Sequence, residues 1–342
     1  MAELAPTLEE WRKLYRAATR MKELAPWEWM GETAVFGVED PETGDLGFVS
    51  VMGMSGEHRA LAVYLGPEGL YGFWALVHMA DSIPPEAVLI VPHLQASFEN
   101  RDELTRDDRD VIKQLELRFR GRQAWPMFRS WRPGYLPWYL EAWEARFLTC
   151  ALEQTAEVAL RFKEDPLLLE PPDEERYLVR VPQKSNEVLE WIDRVVTVPV
   201  PDPEPIPVAV DPDLLEEVKR LPGSPQTVEM DLFVIPARIE ERGARPYLPH
   251  MLLVVDGATG LPLGMELLKP ERSPEAMWGL VPVRLMSQLA RMGCVPGGIR
   301  VRSPVLFELL QPLAKELETE VKRTPVLRRL DEARATLLER LT

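Results

Sequence analysis

Two aspartates stand where a strand meets a tight turn, a position at which many enzymes hold a metal ion. Asp40 ends the run TAVFGVED and Asp256 ends MLLVVD, and a turn containing Thr and Gly follows each of them. Two-metal phosphoryl chemistry needs several carboxylates that converge on ions about 4 Å apart. The structural alternative is that each Asp caps its turn while Gly44 or Gly260 supplies a positive φ. The sequence favours the turn, and metal catalysis by Asp40 or Asp256 remains the alternative.

Other groups that could carry catalysis are sparse. The four histidines show no metal-ligand spacing such as H-E-x-x-H, and the two cysteines stand far apart in the chain. There is no G-x-S-x-G, no P-loop and no G-x-G-x-x-G motif. We therefore expect no catalytic residue, no cofactor and no metal site.

One segment interleaves arginines with aromatic residues. We call LRFRGRQAWPMFRSWRPGYLPWYLEAW, residues 117–143, the Arg/aromatic stretch. Guanidinium groups stack on aromatic rings, and such mixtures contact proteins or single-stranded nucleic acids. In the structural alternative, the arginines pair with nearby carboxylates such as those of NRDELTRDDRD, and the tryptophans are buried. The candidate binding residues are Arg120, Arg122, Trp125, Arg129, Trp131, Arg132, Tyr135 and Trp138.

The charge of the chain is unevenly spread. The net charge is −15, and residues 1–205 hold 36 acidic and 22 basic side chains, a difference of −14. Residues 206–342 hold 19 acidic and 18 basic side chains, a difference of −1. An acidic surface repels nucleic acid at long range. We therefore expect a protein partner at the Arg/aromatic stretch and regard nucleic acid as disfavoured.

The sequence has the features of a cytoplasmic protein. The start, MAELAPTLEEWRKLYRAATRM, lacks the apolar core of a signal peptide. No run of about 18 uncharged apolar residues predicts a membrane span. Two cysteines exclude a disulfide framework and fit a reducing compartment. We expect a cytoplasmic location and no membrane partner.

Hydrophobic periodicity predicts helices and strands in both halves of the chain. A chain of 342 residues predicts two domains. The first half predicts helices over 8–24, 67–81, 100–117 and 136–162, strands over 33–40, 46–53, 59–66 and 87–98, and an irregular segment or short strand within the Arg/aromatic stretch. The second half predicts strands over 228–239, 247–256, 261–268, 298–303 and 318–324, and helices over 273–292, 304–317 and 325–341.

Proline marks the boundary between the halves. The run PVPDPEPIP cannot form a helix or a central strand, because proline fixes φ and lacks an N–H donor. We therefore predict an acidic N-terminal α/β domain over 1–170, a Pro-rich linker with short strands over 171–222, and a C-terminal α/β domain over 223–342.

Both halves can be written βββαβαβα, which predicts a mixed sheet in each domain. That order resembles the ribonuclease H-like fold of nucleases, integrases and transposases, as do the acids before the hairpins in VEDPETG and VVDGATG. The resemblance implies acids on the first strand, near the first helix, at the tip of the fourth strand and on the last helix. The second half offers Asp231 on its first strand and Asp331 with Glu332 on its last helix, but its fourth strand ends in Arg302. Neither half assembles a full set, so each domain would be a degenerate unit.

The whole chain also resembles an uncharacterised bacterial family. Its members carry segments such as WRKLYRAATR, LAPWEWM, FGVEDPETGDLGFVSVMG and RPYLPHMLLVVDGATG. This resemblance implies no activity. We expect a non-enzymatic cytoplasmic binding or interaction protein. The alternative is a divalent-metal-dependent nuclease or nucleic-acid processing enzyme of the ribonuclease H-like class.

Overall fold

Two compact units divide the chain. A computed structural model describes residues 5–79, 89–170, 175–185, 188–202, 205–241, 243–270 and 274–339. The first unit comprises Met1–Pro133 and Pro137–Asp202, and the second comprises Gly134–Leu136 and Pro203–Thr342. Each unit has its own mixed β-sheet and its own helices, so the predicted class, a two-domain mixed α/β protein, is confirmed.

The first unit begins with an amphipathic helix at the predicted residues. Thr7 and Glu10 exchange hydrogen bonds in a capping box that starts this helix. The described elements, in chain order, are α1 (Leu8–Leu24), β1 (Phe36–Glu39), β2 (Leu46–Met52), β3 (Ala60–Leu65), α2 (Gly66–Met79), β4 (His93–Glu99), α3 (Arg106–Gln114), β5 (Trp125–Trp131), α4 (Ala142–Glu164), β6 (Arg176–Ser185) and β7 (Val188–Thr197).

The sheet of the first unit has the strand order β5-β4-β3-β2-β1-β6-β7. Neighbouring strands pair antiparallel, except that β1 and β6 are parallel. β5 and β7 are therefore the two outer strands. β2 and β3 lie near the centre and are buried on both faces, which explains why their sequences are apolar almost throughout.

Helices cover both faces of this sheet. On one face, Leu14 of α1 and Leu148 of α4 pack into the same core as Phe36 of β1. On the other face, Leu70 of α2 packs into a core with Phe48 of β2. The first unit thus has three layers, with the sheet in the middle.

The sequence predicts a Pro-rich linker with short strands over 171–222. In the structure the strands of this segment, β6 and β7, have ten residues each and form an antiparallel hairpin that extends the sheet beyond β1. Alternate side chains of β6, at Tyr177, Val179 and Val181, are buried, and β6 pairs in parallel with β1. Residues 198–202 and 205–211, where the prolines lie, have no helix or strand.

The second unit has a five-stranded sheet. Its described elements, in chain order, are α5 (Pro212–Lys219), β8 (Gly223–Val234), β9 (His250–Asp256), β10 (Pro262–Leu268), α6 (Pro274–Gly279), α7 (Val281–Met292), β11 (Val295–Val301), α8 (Pro304–Glu316), β12 (Glu320–Arg323) and α9 (Arg328–Glu339). The strand order is β10-β9-β8-β11-β12. β8, β9 and β10 pair antiparallel, whereas β11 runs parallel to β8 and β12 parallel to β11.

Helices also cover both faces of the second sheet. Leu285 of α7 and Leu310 of α8 pack into the larger core. Leu330 of α9 packs on the opposite face with Leu253 and Val255 of β9. The single helix predicted over 273–292 is two helices, because Pro282 starts a new helix after Gly279. Within the described ranges, no helix has the length and apolar content needed to cross a membrane.

The predicted element order holds in both units, but the strand pairing differs between them. The second unit reads βββαβαβα if α6 and α7 count as one helical segment, and the first unit has this order from β1 to α4. The fourth strand of the first unit, β4, pairs antiparallel with the third strand, β3. The fourth strand of the second unit, β11, instead runs parallel to the first strand, β8. After α2 the chain forms β4 on the outer side of β3, whereas after α7 it forms β11 on the far side of β8. The two halves therefore differ in strand topology.

Candidate functional site

The Arg/aromatic stretch does not form one continuous surface. Its middle is the seven-residue strand β5, which pairs antiparallel with β4. Side chains alternate along this strand: Pro126, Phe128 and Ser130 are buried, and the residues between them are half-buried. The candidate residues consequently fall into groups with different partners.

Arg129 is held inside the first unit by Asp108. The guanidinium donates hydrogen bonds to both carboxylate oxygens of Asp108, at 2.9 and 2.7 Å, and lies 5.1 Å from the ring centre of Tyr139. The exposed fractions of the two charged side chains are 11% and 9%. Asp108 also accepts the N–H and the hydroxyl of Thr105, which closes the capping box of α3. This pair agrees with the structural alternative for Arg129.

Trp131 and Trp138 pack against neighbours of the same unit. The ring of Trp131 stacks on that of His93, with centres 4.8 Å apart. Burial lowers the pKa of His93 to about 4, so this imidazole is neutral at physiological pH. The backbone of Trp138 exchanges two hydrogen bonds with Ser130 of β5, at 2.8 and 3.0 Å. Trp131 and Trp138 therefore take part in packing and hydrogen bonding at the β5 edge of the sheet.

Arg132, Arg122 and Tyr135 differ in their surroundings. The guanidinium of Arg132 contacts the carboxylates of Glu141 and Glu144, the second at 3.0 Å. Tyr135 belongs to the second unit, where its ring meets that of Tyr247 edge-on with centres 6.4 Å apart. Arg122 is exposed and makes no ion pair with any described residue.

A cleft of about 450 Å³ opens between α3, the loop after it and the start of β5. Phe119 and Trp125 form an apolar side of this cleft, with ring centres 5.8 Å apart and planes inclined by 63°. The guanidinium of Arg101 lies 5.8 Å from the ring centre of Trp125, within cation–π range. We call this feature the basic cleft, since five cationic residues line it: Arg101, Arg109, Lys113, Arg118 and Arg120.

The end of α3 positions one wall of the basic cleft. Arg109 and Lys113 are four residues apart and therefore share one helix face, while Ile112 is buried and anchors the helix. The helix ends where Glu116 adopts the left-handed conformation, with φ of 58°. Leu117 N–H bonds to the Ile112 carbonyl and Glu116 N–H to that of Lys113, both at 3.0 Å. This Schellman motif turns the chain so that the following residues line the cleft.

Four cations of the basic cleft form no ion pair within the described part of the chain. They are Arg101, Lys113, Arg118 and Arg120, and all four are exposed. Among the described lining residues the one carboxylate is Asp110, which lies 3.7 Å from a different arginine, at position 106. Guanidinium groups bind carboxylates and phosphates through paired N–H donors. The cleft can therefore accept an anionic group beside an apolar one.

Sequence reasoning identified part of this site. Arg120 and Trp125 are among the predicted binding residues and line the cleft. Arg101, Arg109 and Lys113 are not among the predicted residues, because the sequence of their segment indicates a source of carboxylates for the stretch. The i, i+4 spacing of Arg109 and Lys113 on a predicted helix next to the stretch is the signal that could have found this face.

Asp40 and Asp256 cap the turns that follow them. The carboxylate of Asp40 accepts the N–H of Glu42 at 2.9 Å. Gly44 and Gly260, the glycines of the two turns, have φ of 79° and 77°. Both aspartates thus stand at the start of a turn that a glycine with positive φ completes.

Both carboxylate oxygens of Asp256 accept hydrogen bonds from the second unit. The carboxylate accepts the N–H and the hydroxyl of Thr259, at 2.5 and 2.6 Å, and the side-chain amide of Gln226. The bond from the Thr259 hydroxyl, followed by that from Gln226, lowers the pKa of Asp256 to about 2. Such a carboxylate is anionic at neutral pH and is engaged by donors of its own unit.

The second unit brings together three of the four positions that the ribonuclease H resemblance singles out. Nη2 of Arg302, just after β11, lies 2.5 Å from Asp331 of α9. Nε of Arg302 lies 3.9 Å from Asp231 of β8. Burial raises the pKa of Asp231, although the charge of Arg302 opposes that shift. The guanidinium supplies the positive charge between these two acids, and no three metal-ligating side chains are grouped anywhere in the described residues.

Family models cover most of the chain. Residues 11–180 match the model described as Domain of unknown function (DUF7309). Residues 214–338 match the model described as Domain of unknown function (DUF6930). The chain thus joins two domains of unknown function. The basic cleft lies in the DUF7309 match and the Asp231–Arg302–Asp331 group in the DUF6930 match, in agreement with the predicted resemblance to an uncharacterised family. No curated protein matches the chain.

Proposed function

We propose that the protein is a non-enzymatic binding protein that takes an acidic peptide segment of a partner protein into the basic cleft. The observation that carries this proposal is the group of cations at Arg101, Lys113, Arg118 and Arg120, none of which pairs with a described carboxylate. Elsewhere in the Arg/aromatic stretch, Arg129 and Arg132 do pair with acids of their own unit. The cleft therefore brings together four exposed cations that are available to a partner, two of them, Arg118 and Arg120, from the stretch.

The lining favours a peptide over a nucleic acid. Phe119 and Trp125 form an apolar side that an aliphatic or aromatic side chain of the peptide can contact. The arginines offer paired N–H donors to the carboxylates of the peptide. A cleft of about 450 Å³ holds a short segment with few charges. A nucleic acid strand carries a phosphate on every nucleotide and would run beyond the cleft along a half of net charge −14. The free cysteines Cys150 and Cys294 support a reducing, cytoplasmic setting for this role.

Fluorescence anisotropy with a labelled nonapeptide of Glu, Asp and Leu tests the proposal. Arg118→Ser with Arg120→Ser should weaken binding about tenfold or more, because two charge-assisted contacts are lost. Arg300→Ser with Arg323→Ser is the matched control, since both arginines are exposed, lie in the second unit and have no described ion pair. This control should bind as the wild-type protein does.

Three outcomes would count against the proposal. Absence of peptide binding by the wild-type protein at moderate salt would reject the acidic-peptide site. Equal weakening in both double variants would mean general charge attraction in place of a site. Binding of a labelled oligothymidine with the same dependence on Arg118 and Arg120 would assign the cleft to nucleic acid.

For the second unit we propose a ribonuclease H-like fold used without metal catalysis. Its element order supports the fold, and the position of Arg302 between Asp231 and Asp331 supports the lack of catalysis. The alternative of catalysis by Asp40 or Asp256 has less support, because each carboxylate is bound by its own turn. Calorimetry with Mn²⁺ should give no binding to the wild-type protein, and tight binding with nuclease activity would overturn this proposal.

A further inference from the structure

β7 is an outer strand of the seven-stranded sheet, at the edge opposite to β5 and the basic cleft. Its ten residues, Val188–Thr197, pair with β6 on one side, and no described strand pairs with the other side. An open edge presents unpaired backbone N–H and C=O groups to another strand. Leu189 and Val195 are 41% and 57% exposed, so apolar surface lies near both ends of this edge.

Glu190 and Arg194, two charged residues of β7, are exposed, and neither makes an ion pair within the described ranges. The residues opposite them on β6, Gln183 and Val179, carry no charge. The third charged residue, Asp193, is already bound by two arginines of its own unit, each at 2.5 Å.

The spacing of Glu190 and Arg194 prevents them from pairing within one chain. They lie four residues apart on an extended strand, which separates their Cα atoms by about 13 Å. Both positions point to the same face, because side chains alternate along a strand with a period of two. A neighbouring strand with an acid and a base at the same spacing matches both charges.

A second copy of β7 matches the whole pattern in one register. When two copies run antiparallel about a two-fold axis at Ile192, Glu190 of each copy lies opposite Arg194 of the other. The same register places Leu189 opposite Val195 at both ends. A shift of the axis by one residue in either direction places Glu190 opposite Ile192 or Val196 and removes both ion pairs. The sequence of the edge is therefore self-complementary.

We propose that two copies of this chain associate through the edges of β7, antiparallel and about a two-fold axis at Ile192. The two seven-stranded sheets become one continuous sheet, and Glu190 and Arg194 form two symmetric cross-strand pairs. A self-complementary patch of this kind generates a closed dimer and no larger assembly. Opposite charges placed directly across two strands stabilise the pairing, and like charges there oppose it.

Charge reversal tests the proposed pairs. Sedimentation velocity should give the wild-type protein a mass twice that of the 39.0 kDa chain. Glu190→Arg alone or Arg194→Glu alone places like charges opposite each other and should raise the dissociation constant about tenfold or more. The double variant Glu190→Arg with Arg194→Glu restores opposite charges and should recover the wild-type constant. Arg323→Glu, on the outer strand β12 of the other sheet, is the matched control and should have no effect.

A disulfide test reports on the register independently of affinity. Across the proposed axis, the two Ile192 Cα atoms lie about 5 Å apart, which a disulfide can bridge. The two copies of Val195 lie six residues out of register, about 20 Å apart. Under mild oxidation Ile192→Cys should therefore give a covalent dimer on a non-reducing gel, and Val195→Cys should not.

Circular dichroism first establishes that each variant folds as the wild-type protein does. A wild-type protein that stays monomeric up to about 100 μM, a concentration at which weak specific association is detectable, would overturn the proposal. So would a double charge-reversal variant that stays as weak as the single variants. Equal cross-linking at positions 192 and 195 would reject the register.

Discussion

Arg129 and Asp108 form a two-point ion pair at the edge of the core of the first unit, with N–O distances of 2.9 and 2.7 Å. Arg129→Met leaves the Asp108 carboxylate buried without its counter-charge. We expect the free energy of unfolding to fall by roughly 3–5 kcal/mol, measured by urea denaturation. Arg120→Met is the control, because Arg120 is exposed and unpaired among the described residues, and its effect should stay within about 0.5 kcal/mol. Equal midpoints for the two variants would contradict a structural role for Arg129.

The same ion pair predicts a dependence on pH. Burial raises the pKa of Asp108, but the hydrogen bonds and charge of Arg129 and the bonds from Thr105 outweigh it, so the net pKa is lowered. A carboxyl of this kind contributes stability above its ordinary pKa of about 3.9, and this stability is lost as pH falls through the folded-state pKa. The difference in unfolding free energy between the wild type and Arg129→Met should be full at pH 7 and smaller at pH 3. A difference that stays constant over this range would contradict the assignment.

The lowered pKa of Asp256 predicts a second contribution to the free energy of unfolding that is lost in acid, this time in the second unit. The pKa of Asp256 is lowered to about 2 by the Thr259 hydroxyl, the Gln226 amide and the turn backbone. The stabilisation is present above about pH 4 and is lost towards pH 2, where the carboxyl is protonated in the folded state. Asp256→Asn should unfold at lower urea than the wild type at pH 7, and the two should converge near pH 2. Glu217→Gln, which removes an exposed charge that has no ion pair among the described residues, is the control and should unfold at the same urea concentration as the wild type at pH 7.

The left-handed backbone conformation of Glu116 predicts that glycine at this position stabilises the protein. Glu116 holds this conformation at the end of α3 with φ of 58°, which costs a residue with a Cβ about 1 kcal/mol more than glycine. Glu116→Gly should therefore raise the free energy of unfolding by up to about 1 kcal/mol. Thermal unfolding followed by circular dichroism measures this change. Glu116→Ala keeps the strained φ and is the control, which should show no such gain.

Cys150 should be chemically inert in the folded protein. Burial in α4, followed by the charge of nearby acids, raises the pKa of this thiol to about 12. The thiolate is the reactive form, so alkylation at pH 8 should be at least about a hundredfold slower than in the unfolded chain. A Cys294→Ala variant isolates this thiol, and mass spectrometry after iodoacetamide treatment counts the label. Rapid labelling of the native protein would show that α4 opens at this point.

Local signals in the sequence were sufficient for the positions of most helices and strands. α1 has the predicted bounds because its apolar residues recur every three or four positions and Thr7 caps it. β5 is a full strand where a short or irregular one is predicted, since Pro126 and the arginines hide its alternation of buried and half-buried residues. The break between α6 and α7 was missed because the apolar pattern continues across Gly279 and Pro282.

Sequence patterns could not give the pairing of strands or the neighbours of side chains. β4 and β11 each follow three strands and a helical segment. β4 nevertheless pairs with the third strand of its unit, β3, whereas β11 pairs with the first strand of its unit, β8. Contacts between residues distant in the sequence determine this choice of partner strand. For the same reason, Arg129 and Arg120 look equivalent in the sequence. Asp108 lies 21 residues from Arg129 in the chain and reaches it only because α3 packs beside β5.

The late position of β6 and β7 has a consequence for synthesis of the chain on the ribosome. β1 pairs on one side with β2, close by in sequence, and on the other with β6, which emerges some 140 residues later along the chain. Until β6 has been synthesised, one edge of β1 has unpaired backbone N–H and C=O groups, and such an edge promotes aggregation. Contacts between residues so far apart in the sequence also form slowly. A recombinant fragment that stops at residue 180, where the first family match ends, would cut through β6 and remove all of β7. Expression of residues 1–202 should thus yield a soluble product where residues 1–180 precipitate.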